Sequence, residues 1–139
     1  MTNYEIEELF LKKLADTYST FNAEPIADML AADFHYSSMW VLDEITSKDA
    51  YLVYITGKLA AMKKGNKKFN CILMYKQGDG KPVLMFSPKT PDGGFGAFLA
   101  EADKSGNKIK RLDLMAAGLY ELGYKDKDEF DKFMQIANG

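Results

Sequence analysis

The strongest constraint on this chain is a change of hydrophobic period. As far as residue 64, apolar residues recur mostly at helical spacing; from residue 68 they occur in short runs cut by turn signals. Helices first and strands afterwards is the order of an α+β domain rather than of alternating βαβ units.

In the first half, Ile6, Leu9, Phe10, Leu14 and Tyr18 fall on one helical face, and Thr2 with Glu5 forms a capping box in front of them. Asn22 breaks this helix. Pro25, tolerated in a first turn, opens a second over about residues 24–32 that buries Ile26, Met29 and Leu30. Ser47 caps a third, with Asp49 in its first turn, a stripe of Tyr51, Tyr54, Ile55, Leu59 and Met62, Lys63 and Lys64 in its last turn, and Gly65 to close it.

Between the second and third helices, DFHYSSMWVLDEIT reads as extended chain. Phe34, Tyr36, Ser38 and Trp40 share one face, and His35, Ser37 and Met39 the other, with Asp43 and Glu44 near a turn. Four strands follow, over residues 68–76, 82–87, 94–102 and 108–115. Gly78-Asp79-Gly80, the prolines Pro88 and Pro91, and Lys104-Ser105-Gly106-Asn107 separate them. Asp126 and Glu129 make a capping box for a last helix with a stripe of Phe130, Phe133, Met134 and Ala137, while residues 116–124 fit helix or loop equally.

Composition narrows the classes. A length of 139 residues suits one domain with a real core. A net charge of −2 supplies no global basic field for nucleic acid or an anionic membrane. No stretch approaches a membrane span, and MTNYEIEELF lacks the basic and apolar regions of a signal peptide. Cys71 is the one cysteine, which rules out an intramolecular disulfide and suits a reducing compartment. A cytoplasmic location is therefore expected. Eight Met, eight Tyr and nine Phe make the apolar part bulky, suited to an irregular core and equally to a ligand cavity.

The element order, together with FNAEPIADMLAADFHYSS and KSGNKIKRLDL, resembles the nuclear transport factor 2-like superfamily, including its SnoaL-like polyketide cyclase and ketosteroid isomerase branches. The resemblance covers residues 4–115. It implies a cystatin-like cone over residues 1–115, with the N-terminal helices packed in the concave face of a curved, mostly antiparallel sheet. Residues 116–139 would be a C-terminal helical extension of the same domain. It also implies a cavity for small hydrophobic molecules, and homodimers formed through the convex face.

By that analogy the concave face receives Tyr36, Ser38 and Trp40, then Phe98, Ala100 and Ala102, then Leu112 and Leu114, with Tyr18 and Tyr54 reaching in from helices. The expected pocket is Tyr18, Tyr36, Ser38, Trp40, Tyr54, Phe98 and Leu112. His35, Arg111 and Asp113 would lie outside; a one-residue slip would reverse the assignment.

The resemblance does not bring the steroid-isomerase chemistry with it. Its carboxylate base would fall at Ser38 and its protonated acid at about Phe98, with Tyr18 near the helix-one tyrosine. Serine is no base near neutral pH and phenylalanine donates no hydrogen bond. The cyclase branch uses an Asp and a His facing the cavity, and His35 faces outward in this register.

Other motifs weaken on inspection. A lone His35 cannot build a multi-histidine metal site, and neither a metal nor a cofactor is expected. Ser37 and Ser38 lack a nucleophile elbow, and Cys71 sits in an apolar strand. In DKSGN, Asp103, Ser105 and Asn107 have calcium-loop spacing, but Lys108 replaces the glycine and Leu114 the glutamate. GGFG enters a strand rather than a helix, so a bend or bulge explains it better than phosphate binding. Lys58, Lys63, Lys64, Lys67 and Lys68 read as a solvated helix end, with an anionic partner as the alternative. The expectation is a binder of a small apolar molecule, with isomerase- or cyclase-like chemistry open but no catalytic set named. The alternative is a dimeric interaction domain using the outer sheet face near Arg111 and Asp113.

Overall fold

The structure is a computed structural model and describes residues 1–87, 90–105 and 107–138. Pro88 and Gly106, expected to end a strand and to form a turn, lie outside the described residues.

Helix α1 (Asn3–Thr20) begins at the expected capping box: Glu5 N–H donates to Thr2 Oγ1 at 3.1 Å, and Thr2 N–H donates to Glu5 Oε1 at 3.0 Å. Its buried face carries Ile6, Phe10, Leu11, Leu14, Thr17 and Tyr18. Leu9, expected on that face, is exposed, because the stripe drifts round the helix through Leu11 instead.

Helix α2 (Glu24–Ala27) is one turn long, shorter than its pattern suggests. Leu30 already opens strand β1 (Leu30–Ser38), because a ladder distant in sequence captures the segment: Leu30 pairs with Ile109, whose N–H donates to Met29 O at 2.7 Å. Tertiary pairing overrides local helical spacing here. The chain then turns at Met39 and Trp40, so Asp43 and Glu44 lie along strand β2 (Val41–Ile45) rather than near a turn. Helix α3 (Lys48–Lys64) is capped by Ser47 as expected. Tyr51, Ile55, Leu59 and Met62 are buried, whereas Tyr54 remains partly exposed. The left-handed residue after it is Asn66, with φ 53°, and not Gly65; asparagine tolerates that region.

Strands β3 (Asn70–Lys76), β4 (Pro82–Ser87), β5 (Gly96–Ala102) and β6 (Ile109–Ala116) form the antiparallel meander. The sheet has 7 strands in the order β2-β1-β6-β5-β4-β3-β7, with β7 at Leu122–Gly123 and the β1–β6 pairing parallel. Helix α1 packs on β4 and β5, and α3 on β1. The chain is thus an α+β cone with a mixed, mostly antiparallel sheet that does not close.

Aromatic rings fill the space between helices and sheet. Tyr18 stacks on Phe69 with centroids 4.2 Å apart, Phe69 on Phe86 at 4.4 Å, and Phe86 lies 5.0 Å from Phe98. Glu7 is buried at the rim of this core, with both oxygens engaged. Lys81 Nζ donates to Oε1 at 2.6 Å and Ala102 N–H to Oε2 at 3.1 Å, while Lys81 also donates to Ala100 O at 2.8 Å.

The outer face has its own apolar layer. A 3₁₀ turn (Ala117–Leu119) and β7, which pairs with β3, resolve the ambiguous residues 116–124 and lead into helix α4 (Lys127–Asn138). Asp126 Oδ1 accepts from Glu129 N–H at 3.2 Å at its start. Phe130, Phe133, Met134 and Ala137 pack over Ile72, Met74, Val83, Met85, Ala97 and Ala117. Strand β4 is consequently buried on both faces, Leu84 and Phe86 inward, Val83 and Met85 outward. No described helix is long and apolar enough to cross a membrane.

Candidate functional site

A cleft of about 440 Å³ opens where β1 turns into β2. Alternation along β1 puts Tyr36 and Ser38 on its wall, and the same alternation in β2 presents Val41, Asp43 and Ile45. A register shift between Tyr36 and Ser38 disturbs the β1–β2 ladder just before Trp40, which also lines the cleft. Bulges of this kind re-aim side chains. Helix α3 contributes Tyr54 and, one turn on, Lys58; Leu114 from β6 and Pro91 complete the wall.

The cleft backs onto stacked phenols. Tyr36 lies 5.6 Å from Tyr54, with 30° between the planes, and 5.2 Å from Tyr51. Phe34 meets Tyr51 edge-on at 4.9 Å. Burial, then the neighbouring Tyr54 and Tyr51, push the Tyr36 hydroxyl well above the ordinary phenol range; burial does the same to Tyr51. These phenols stay protonated, able to donate as well as accept. Ser38 Oγ accepts from Trp40 N–H at 3.3 Å. The Lys58 ammonium lies 5.9 Å from the Tyr54 ring centroid. Asp43, exposed on β2, is the carboxylate on the wall. The wall thus combines stacking rings and hydrogen-bond donors with one solvated carboxylate.

Of the residues expected to form a pocket, Tyr36, Ser38, Trp40 and Tyr54 come together in this cleft. Tyr18, Phe98 and Leu112 lie elsewhere, packed in the filled interior with Tyr18 5.8 Å from Phe98. Tyr18 also borders a separate cavity of about 220 Å³ beside Phe21 and Phe69. Val41, Asp43, Ile45, Lys58 and Pro91 escaped the sequence reading. For Lys58 a signal existed: it stands four residues after Tyr54, on the same helical face.

The outer side of β1, β2 and β6 carries a polar network. Arg111 Nη1 lies 2.7 Å from Glu44 Oε1, and its Nε 3.0 Å from Asp113 Oδ1. Ser37 Oγ donates to Asp113 Oδ1 at 2.5 Å and accepts from Arg111 Nη2 at 3.2 Å. His35 Nδ1 is 3.4 Å from Glu44 Oε1. Hydrogen bonding to Asp113 raises the Arg111 pKa above its ordinary value. On β3, Cys71 is half-buried, and burial pushes its thiol up to about 12, which keeps it a poor nucleophile.

No protein-family model matches the chain, and no curated protein does. Solved structures do. A nuclear transport factor 2-like protein from Mesorhizobium loti superposes with a TM-score of 0.61 at 12% identity, covering 82% of this chain and 93% of that one. A SnoaL-like protein from Burkholderia thailandensis E264 gives 0.60 at 13% identity, covering 85% and 100%. A protein from Kribbella flavida DSM 17836, provisionally assigned as a ketosteroid isomerase, gives 0.53 at 17% identity, covering 88% and 82%. The fold is nuclear transport factor 2-like. At these identities the likeness establishes the fold alone, and function has to be argued from the site. In the nuclear transport factor 2-like frame, the resemblance would set the isomerase base at Ser38, whose hydroxyl is engaged by the Trp40 N–H, and the acid at Phe98, which is wholly buried among other rings.

Proposed function

We propose that the protein binds a small, ring-bearing apolar molecule in the cleft between Trp40, Tyr36 and Tyr54. The observation that carries this reading is the cleft itself: a concave, largely apolar wall with a few convergent polar groups, the usual composition of a small-molecule site. Each well-placed aromatic contact is worth about 0.5–1.5 kcal/mol beyond simple burial, so two or three add up to about 4 kcal/mol to what burial of the ligand itself contributes. Isomerase- or cyclase-like turnover would have to draw its base from Asp43, the carboxylate on the cleft wall.

The neutral probe N-phenyl-1-naphthylamine tests the reading, because its emission rises on entering an apolar site. Saturable binding is expected, weakened at least tenfold by Trp40→Ala and unchanged by His35→Ala. Absence of saturable binding up to the probe's solubility, or equal loss in both variants, overturns it.

A second reading is a homodimer working through the outer sheet face. The charged patch of Glu44, Arg111 and Asp113 supports it, while the cover that α4 lays over β3, β4 and β5 removes much apolar area from such an interface. A sedimentation experiment at micromolar concentration separates monomer from dimer.

A further inference from the structure

Resting on the cleft reading above, we infer that Lys58 makes the site selective for a ring-bearing anion, such as an aromatic carboxylate. Three observations point there.

Lys58 is half-buried on the wall of an apolar cleft, whereas Lys63 and Lys64 at the end of the same helix are exposed. Its ammonium lies against the Tyr54 ring, and among the described residues no carboxylate pairs with it. Lys81, Lys110 and Arg111 are neutralised in place, by Glu7, by Glu101, and by Glu44 with Asp113, whereas Lys76 on β3, over the Tyr120 ring, has no ion pair among the described residues but does not line this cleft. An unpaired ammonium beside an apolar wall gains from an anion brought to it, and hydrogen bonds to charged groups are roughly twice as strong as neutral ones.

The second observation is the set of groups around it. Tyr54, one turn before Lys58, and Tyr36 beside it line the cleft with stacked phenol rings. Protonated phenols donate to an oxyanion, and the rings already stack an aromatic body.

The third is polarity across the cleft. Asp43 sits on β2 and Lys58 on α3. A ligand anion is repelled by the first and attracted by the second, which sets an orientation: anion toward α3, ring toward Trp40.

The test is displacement of bound N-phenyl-1-naphthylamine by 2-naphthoate, by its neutral isostere 2-naphthamide and by the cation 2-naphthylmethylammonium. Naphthoate is expected to compete at least fivefold more tightly than the amide, with the cation weakest. Lys58→Gln should lower naphthoate affinity to that of the amide and leave the amide unchanged; Lys58→Arg should keep the preference. Equal affinities in the parent protein, a preference for the cation, or equal losses of acid and amide in Lys58→Gln overturn the anion inference while the cleft reading stands. Failure of the probe itself to bind removes both. Circular dichroism and the unfolding midpoint of Lys58→Gln should match the parent, since among the described residues the side chain has no ion pair to lose, only a 5.9 Å approach to the Tyr54 ring.

Discussion

Gly96 on β5 and Phe86 on β4 face each other across the sheet, and the Phe86 ring occupies the space a side chain at Gly96 would need. A Cβ there would lie 2.0 Å from the ring's Cζ. The same ring stacks on Phe69 and tilts against Phe98, so it has no free direction in which to retreat. Gly96→Ala is therefore expected to cost about 1–3 kcal/mol through overpacking. It should appear as a lower urea midpoint with an unchanged slope; a midpoint equal to the parent's would show that the ring moves freely.

Glu7 and Lys81 give a second expectation. The carboxylate is buried and bonded on both oxygens, so Glu7→Gln leaves the Lys81 ammonium without its countercharge. Breaking one side of such a pair costs about 3–5 kcal/mol. The exposed helical pair of Lys127 and Asp131 provides the contrast: Lys127→Ala should leave the midpoint in place. Similar effects from both substitutions would contradict the burial of Glu7.

Cys71 should be silent in the folded protein. With its thiol raised from 9.0 to about 12, it is expected to resist Ellman's reagent at pH 8 and to react fully in urea. The sign of the linkage follows. The unfolded chain releases the thiol proton near pH 9 while the folded chain holds it, so stability is complete below pH 9 and falls as pH rises toward 12. Tyr36 and Tyr51, raised by burial, add to the same fall above the ordinary phenol value of 10.0. Urea midpoints at pH 8 and pH 10.5 should differ in that direction, and less so in Cys71→Ala; a midpoint rising with pH would refute the assignment.

Phe133 anchors α4 to the outer face and touches the ring of Phe95 edge-on at 5.5 Å. Phe133→Ala is expected to cost about 3–5 kcal/mol. Phe133→Asp should lift α4 and expose Val83 and Met85, giving dye binding and concentration-dependent association in sedimentation. A monomer that binds no dye after that change would mean the helix is held by other contacts.

Much of this was legible in the residues. Thr2, Glu5 and Ser47 announced their helix starts, because capping is local and its partners lie within one turn. Alternation sorted Phe98, Ala100, Leu112 and Leu114 inward and Arg111 and Asp113 outward, since a strand's period is fixed. What escaped depended on partners far away in sequence. Leu30 joined a strand because Ile109 was there to meet it, and α4 found its seat only because β4 had a second apolar face. Lys58 was hidden by company: its neighbours at Lys63 and Lys64 made it look like part of a wet helix end, whereas its place one turn after Tyr54 turns it toward the cleft.

The stacked interior of Tyr18, Phe69, Phe86 and Phe98 has a consequence beyond stability. Because those rings fill the deep space, the cleft at the β1–β2 turn is walled by side chains that this stack does not lean on. Exchanging Val41 or Lys58 alters what the cleft touches without disturbing the plug. If the cleft is the binding site proposed above, folding and recognition are carried by separate side chains, and descendants of this chain are free to diverge in ligand while the architecture stays constant.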